Sequence, residues 1–215
     1  MITPQADPNA ETIGAYENGW RKYLAGTPPV ALDIHGPWLP SALALRPAGS
    51  TVLEIGSGPG HDAILIESTG AHVERTDATA AFVNHLRSQG HKARLLNVLT
   101  DEIGTGYGMI YAFAVFQHFT WPQFRTALGR CRDALEPGGV LAFSMRRGEG
   151  GVFGGGWRER KGMDRRFFMF WQPGQLWDQV EKAGLRVVTL HQDEAVWQDS
   201  DEERKTWLLT TAVRD

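Results

Sequence analysis

Three glycines fall where a strand must hand over to a helix, and that join limits what the chain can become. In Val52-Leu-Glu-Ile-Gly-Ser-Gly-Pro-Gly60, glycines stand at 56, 58 and 60. Before them, Thr51 to Ile55 is a short apolar run between Gly49-Ser50 and Gly56, the pattern of a buried strand. After them a helical pattern starts at His61. Glycine permits the tight turn and lets a ligand lie against bare backbone. The N-terminus of the helix that follows offers unpaired N–H groups to a polar or anionic group.

The alternation continues. Strand patterns are expected at 71–76, 92–96, 107–113 and 139–145, and helices at 61–68, 80–88 and 122–135. Tyr107 to Phe113 carries no charge, as a strand buried on both faces should. Strands alternating with helices predict a doubly wound α/β fold, a mostly parallel sheet with helices on both faces. A helix at 176–183 and strands at 186–191 and 207–213 complete a seven-stranded sheet. The stretch between the last two strands is short and acidic. It suits a solvated hairpin tip over 193–203, so the final strand should enter antiparallel. Ahead of the sheet, Ala10 to Leu24 and Trp38 to Leu45 read as helices. The expected organisation is one domain over 1–215. Residues 1–48 form a helical cap, and 49–215 form a core with a glycine-rich lid segment at 146–166.

Composition narrows the function. The net charge of −3 gives no global field for holding nucleic acid. The single cysteine, Cys131, excludes an internal disulfide framework and any Cys-rich zinc site, and no metal-ligand set is visible. No apolar run approaches the ~20 residues of a membrane span, and the polar start has no secretory pattern. A cytoplasmic protein with no membrane partner is expected.

Asp77 ends the second strand, 21 residues after Gly56. An acid there meets the hydroxyls of an adenosine ribose in nucleotide-binding sheets. A dinucleotide fingerprint, G-x-G-x-x-G, would need glycine at 61, where this chain has His61.

These residues resemble the class I S-adenosylmethionine-dependent methyltransferases. Glu54-Ile-Gly-Ser-Gly-Pro-Gly60 is similar to that family's first motif, and Asp77-Ala-Thr to its acid after strand two. Tyr107 to His118 is similar to its fourth strand and following loop. Leu135-Glu-Pro-Gly-Gly-Val-Leu141 is similar to its lead-in to strand five. Arg166-Phe-Phe, Trp171 and Leu176 to Leu185 resemble its penultimate helix, and Tyr16 to Tyr23 the opening of many bacterial members. Gly108 departs from the pattern, standing where many members carry aspartate. The resemblance implies a Rossmann-like methyltransferase fold and S-adenosyl-L-methionine as cofactor, with S-adenosyl-L-homocysteine as product. It implies that Gly56, Ser57, Gly58 and Gly60 border the methionine part, with Glu54 near its ammonium and Asp77 on the ribose. Ala78, Asn97 and Val98 would border the adenine, and Ala112 and Phe113 would pass the methionyl moiety.

His118 has two readings, a general base or a structural and cofactor contact, and the second is preferred. Tyr16 and Tyr23 are balanced between a packing stripe and a substrate-side lid whose phenol reaches the methyl. The 146–166 segment carries a local excess of four positive charges, which would favour an anionic acceptor. The leading reading is in-line methyl transfer to a small molecule. A tRNA or RNA methyltransferase using the basic segment is second, and a dinucleotide-dependent oxidoreductase third.

Overall fold

The computed structural model describes residues 7–27, 36–160, 163–193 and 206–215. Most of the expected acidic tip at 193–203, and Lys161 of the basic segment, lie outside the described residues.

Helix α1 (Pro8–Ala25) opens on Asp7, whose carboxylate accepts from the Asn9 N–H and caps the first turn. Helix α2 (Trp38–Leu45) follows. The alternating series then runs β1 (Thr51–Ile55), α3 (His61–Glu67), β2 (His72–Asp77), α4 (Ala80–Ser88), β3 (Ala93–Leu95) and β4 (Tyr107–Ala112). Helix α5 (Trp121–Ala134) is closed at its start by a reciprocal pair, Thr120 and Gln123, each satisfying the other's backbone N–H. Strand β5 (Leu135–Arg147) leads to β6 (Gly154–Arg160) and β7 (Met163–Trp171). Helix α6 (Pro173–Lys182), β8 (Arg186–Asp193) and β9 (Trp207–Val213) end the chain.

Strands β3, β2, β1, β4 and β5 lie side by side and parallel. Strand β9 runs antiparallel between β5 and β8, as the short acidic connection required. Alternate strand residues serve opposite faces. Leu53, Ile110, Leu141 and Phe143 pack on one side against α5 and α6. Val52, Met109, Val140 and Ala142 pack on the other against α2 and α3. Among the described residues no helix is long and apolar enough to cross a membrane.

Most of the segment expected to form the glycine-rich lid, 146–166, belongs to a β-hairpin, so the sheet has nine strands rather than the expected seven. The expected helical start at Arg166-Phe-Phe and Trp171 is likewise strand β7, and the helix begins only at Pro173. The glycines here make room. Gly154, Gly155 and Gly156 pair with Phe170, Met169 and Phe168, and a Cβ on Gly155 would lie 2.2 Å from the Phe167 ring. Met169 and Trp171 alternate into the core. Strand β7 meets β5 only at Arg146–Phe170 and Arg147–Trp171, just past the last residue that β5 shares with β4. The hairpin therefore stands over the C-terminal edge of β4, where open parallel sheets bind ligands.

Gly108 also has a packing explanation. A Cβ there would lie 1.8 Å from Ser50 Oγ and 2.3 Å from Ser50 Cβ. The side chain of Ser50 fills the place an aspartate would need. Gly108→Ala should lower stability by ~1–3 kcal/mol, the cost of overpacking, and Ser50→Gly in the same chain should recover most of it. Urea denaturation of both variants checks this; an unchanged midpoint for Gly108→Ala would contradict it.

Candidate functional site

The join between β1 and α3 is tight. Gly56, Gly58 and Gly60 all adopt left-handed backbone, with φ of +75°, +49° and +84°. A side chain at Gly60 would also meet Leu86 Cδ2 at 2.5 Å. The Ser57 N–H donates to the Thr76 carbonyl at the end of β2 and the Gly60 N–H to the Ser57 carbonyl, folding the loop on itself.

Asp77 holds this loop from the neighbouring strand. One carboxylate oxygen accepts from the Gly58 N–H at 2.8 Å and the other from the Thr79 N–H at 2.8 Å. The residue is buried, and burial pushes its carboxyl above its ordinary value although both N–H groups oppose the shift. Each oxygen keeps a lone pair for a further donor.

Glu54, on β1 below the loop, is 2% exposed, and its Oε2 has no hydrogen-bond partner. Burial pushes its carboxyl up to about 8, with the nearby Asp62 adding to the rise. Asp62, in the first turn of α3, accepts a hydrogen bond from the Tyr111 phenol at 3.1 Å.

Gly56, Gly58 and Asp77 border a cavity of about 100 Å³. Of the residues named from sequence, Gly56, Gly58, Asp77, Ala78, Asn97, Val98, Phe113, His118, Tyr16 and Tyr23 line it. Glu54, Ser57, Gly60 and Ala112 do not reach its wall. Asn97 is already engaged: its amide donates to Asn9 Oδ1 at 2.7 Å and its Oδ1 accepts from the Leu99 N–H. Asn9, Thr12 and Ile13 of α1 also line the cavity, extending the Tyr16–Tyr23 stripe towards the helix start. The polar Asn9 and Thr12 broke the apolar pattern that marked the rest of that face. Trp20 packs instead against His85 and under Arg21.

At the far end of the cavity a chain of hydrogen bonds ties three elements together. The Phe167 carbonyl of β7 can only accept, so His118 Nδ1, 2.7 Å away, carries the proton. Nε2 is then an acceptor, 3.0 Å from the Tyr16 phenol of α1. Arg166 Nη1 donates in turn to the Tyr16 oxygen at 3.0 Å. His118 also lies edge-on to Phe168, ring centroids 4.5 Å apart. Burial drives the His118 imidazole down to about 3, and the charges of Arg166 and Arg146 push the same way. The ring is therefore neutral near pH 7. Burial also raises the Tyr23 phenol well above its ordinary value. Ala114, directly after β4, has a positive φ of 57° and borders the same cavity. Its N–H is held by Ser144 Oγ at 2.8 Å.

A sequence profile of the methyltransferase-domain family matches residues 35–190. The chain belongs to that family. Its methyltransferase domain is similar in fold to several solved structures. One is the Burkholderia thailandensis 1,6-didemethyltoxoflavin N1-methyltransferase, with its substrate and S-adenosylhomocysteine bound. It is 16% identical with a TM-score of 0.68, covering 100% of this chain and 93% of that one. Another is the CcbJ methyltransferase from Streptomyces caelestis, 20% identical with a TM-score of 0.66, covering 93% and 97%. A third is the glycopeptide N-methyltransferase MtfA complexed with S-adenosylhomocysteine, 15% identical with a TM-score of 0.65, covering 86% and 91%. No curated protein sequence matches the chain.

The sign of the Glu54 contribution to stability follows from its surroundings. Unfolded, it releases its proton near its ordinary value of 4.5; folded, it holds it to about 8. Between those limits the folded state binds the extra proton, so stability falls as pH rises. The difference in unfolding free energy, wild type minus Glu54→Gln, should decrease from pH 5 to pH 8 by up to roughly 1.4 kcal/mol per pH unit. Denaturant titrations at several pH values measure it; a flat or rising difference would contradict the buried-carboxyl account.

Proposed function

We propose that this chain transfers the methyl group of S-adenosyl-L-methionine to a small-molecule acceptor, leaving S-adenosyl-L-homocysteine. The observation that carries the reading is the pairing of a glycine loop with two buried carboxyls of different status. Asp77 is bonded to the loop yet retains lone pairs for ribose hydroxyls, while Glu54 Oε2 is an orphaned acceptor suited to an ammonium. Ala78, Leu96 and Val98 give an apolar wall for an adenine, and Asn97 its polar edge. Two of the similar structures name small molecules or peptides as what is methylated and carry S-adenosylhomocysteine.

When bound, the cofactor supplies a sulfonium methyl that an acceptor displaces in line, the C–S electron pair leaving on sulfur. The protein's task is then orientation, worth up to ~7–11 kcal/mol when reacting groups are held in place. Phe113 and Ala114 at the end of β4, with Tyr16 opposite, border the region where transfer would occur. His118 acts here as a positioning residue. Its low basicity and its engaged ring nitrogens fit the fixing of Tyr16 better than proton abstraction. In this reading the chain is one domain, with α1 and the β6–β7 hairpin together forming the cover of a core that begins near residue 49.

An anionic acceptor is favoured, though not by the whole basic segment. Arg165 is spent on Glu11 at 2.9 Å, and Arg158 lies over Phe170. That also reduces what the hairpin offers to a phosphate backbone.

Calorimetry should show binding of S-adenosylmethionine and S-adenosylhomocysteine but not of NAD. Asp77→Asn should weaken that binding by ~1.5–3 kcal/mol, the worth of a hydrogen bond to a charged group. Tight NAD binding with neither adenosyl ligand bound would contradict the proposal, as would an unchanged Kd in folded Asp77→Asn.

A further inference from the structure

The face of the sheet beside His118 holds a buried cation whose partner is missing. Strand β7 presents Arg166, Phe168 and Phe170 on one face, since alternate residues share a side. Pairing across the sheet sets Phe170 beside Arg146 of β5, and Arg146 beside Trp207 of β9. The same surface continues to Phe113, whose ring lies 5.2 Å from that of Trp207.

Arg166 is 6% exposed. Its Nη1 donates to Tyr16, and the guanidinium lies 5.1 Å from the Tyr16 ring centre and 5.5 Å from that of Phe168. Its Nε is buried with no hydrogen-bond partner. Among the described residues no carboxylate pairs with it. The difference from other arginines lies in the carboxylate: Arg75, whose Nε is likewise buried and unbonded, is held through Nη1 and Nη2 by Glu67, and Arg165 by Glu11. A buried charge is retained only when something compensates its lost hydration. Two aromatic faces and one phenol are weak compensation for a guanidinium.

The edge left unbonded is chemically specific. With Nη1 committed to Tyr16, Nε and Nη2 remain, two parallel N–H donors whose spacing matches the two oxygens of a carboxylate. A second unsatisfied donor, the indole Nε1 of Trp207, is buried on the same face. Gln117 Oε1, beside His118, is an unmet acceptor as well, but a neutral amide oxygen does not balance a guanidinium, whereas an oxyanion does. The position is one phenol away from the cavity, because the Tyr16 oxygen that receives Arg166 also lines it.

We infer that the methyl acceptor is a small carboxylic acid, held by its carboxylate on the Nε and Nη2 edge of Arg166, with its apolar body against Phe168 and Phe113. The inference rests on the methyltransferase reading above and specifies the acceptor class for the same site. Arg166 then has two tasks, anchoring the acceptor and, through Tyr16 and His118, fixing the phenol at the point of transfer.

The test uses the whole protein saturated with S-adenosylhomocysteine. Benzoate, 4-hydroxybenzoate and indole-3-acetate are each titrated by calorimetry beside the matching carboxamide, which keeps shape and loses charge. At least one acid should bind ~10-fold or more tighter than its amide, as a charge-assisted pair requires. Arg166→Gln should bring that ratio to within ~3-fold while S-adenosylhomocysteine still binds. If every acid binds no better than its amide, the Arg166 assignment is overturned and the methyltransferase reading stands. The same holds if the preference survives in Arg166→Gln, or if a short RNA outcompetes every acid. If S-adenosylhomocysteine itself fails to bind, the earlier reading has failed first. The wild-type comparison of acid with amide decides the matter even if the variant does not fold.

Discussion

The carboxylate of Asp77 receives two backbone N–H groups from opposite sides, Gly58 on the loop after β1 and Thr79 on the turn after β2. That double acceptance fixes the glycine loop against the neighbouring strand. Without it, three glycines in succession would have little reason to hold one conformation. The loop's position fixes in turn where the α3 N-terminus points and how closely a ligand can approach the backbone. Glu54 lies on the strand that leads into this loop and is 2% exposed. A carboxyl held near 8 in that place is a group prepared for a cationic partner.

The opposite wall is built from elements remote in sequence. Helix α1 supplies Tyr16, the loop after β4 supplies His118, and β7 supplies Arg166 and the Phe167 carbonyl. Each member fixes the hydrogen-bonding role of the next, so the imidazole has one tautomer and the phenol one direction for its proton. Such a chain orients groups and moves no proton by itself. It also joins the N-terminal helix to the hairpin, since α1 is further tied to β7 by Thr12 accepting from the Phe167 N–H and by Glu11 on Arg165.

The core was legible in the sequence wherever local pattern and tertiary role agreed. Thr51–Ile55, Trp38–Leu45, Ala80–Ser88 and Trp207–Val213 form the elements their patterns predict, to the residue. The antiparallel entry of β9 followed from a connection too short to cross the sheet. The hairpin was not legible, because glycine signals freedom when read locally. At Gly155 it signals space for the Phe167 ring, which only the partner strand reveals. The site divides the same way. The glycine loop and Asp77 stood out by their spacing, and Ala78, Asn97 and Val98 followed from the family resemblance; all but Ser57, Pro59 and Gly60 of these border the cavity. The Arg166–Tyr16–His118 chain could not, since it joins positions about 50 to 150 residues apart through a strand whose residues read as the end of a glycine-rich segment and the start of a helix.

The most direct measurement of this account is a crystal structure with S-adenosylhomocysteine bound. The account predicts the ribose hydroxyls on the carboxylate of Asp77, with the Gly58 bond retained. It also predicts that the ligand's ammonium lies within hydrogen-bond reach of Glu54 Oε2, directly or through one water. A ligand bound away from the glycine loop, or one on the loop with Glu54 Oε2 still without a partner, would contradict it.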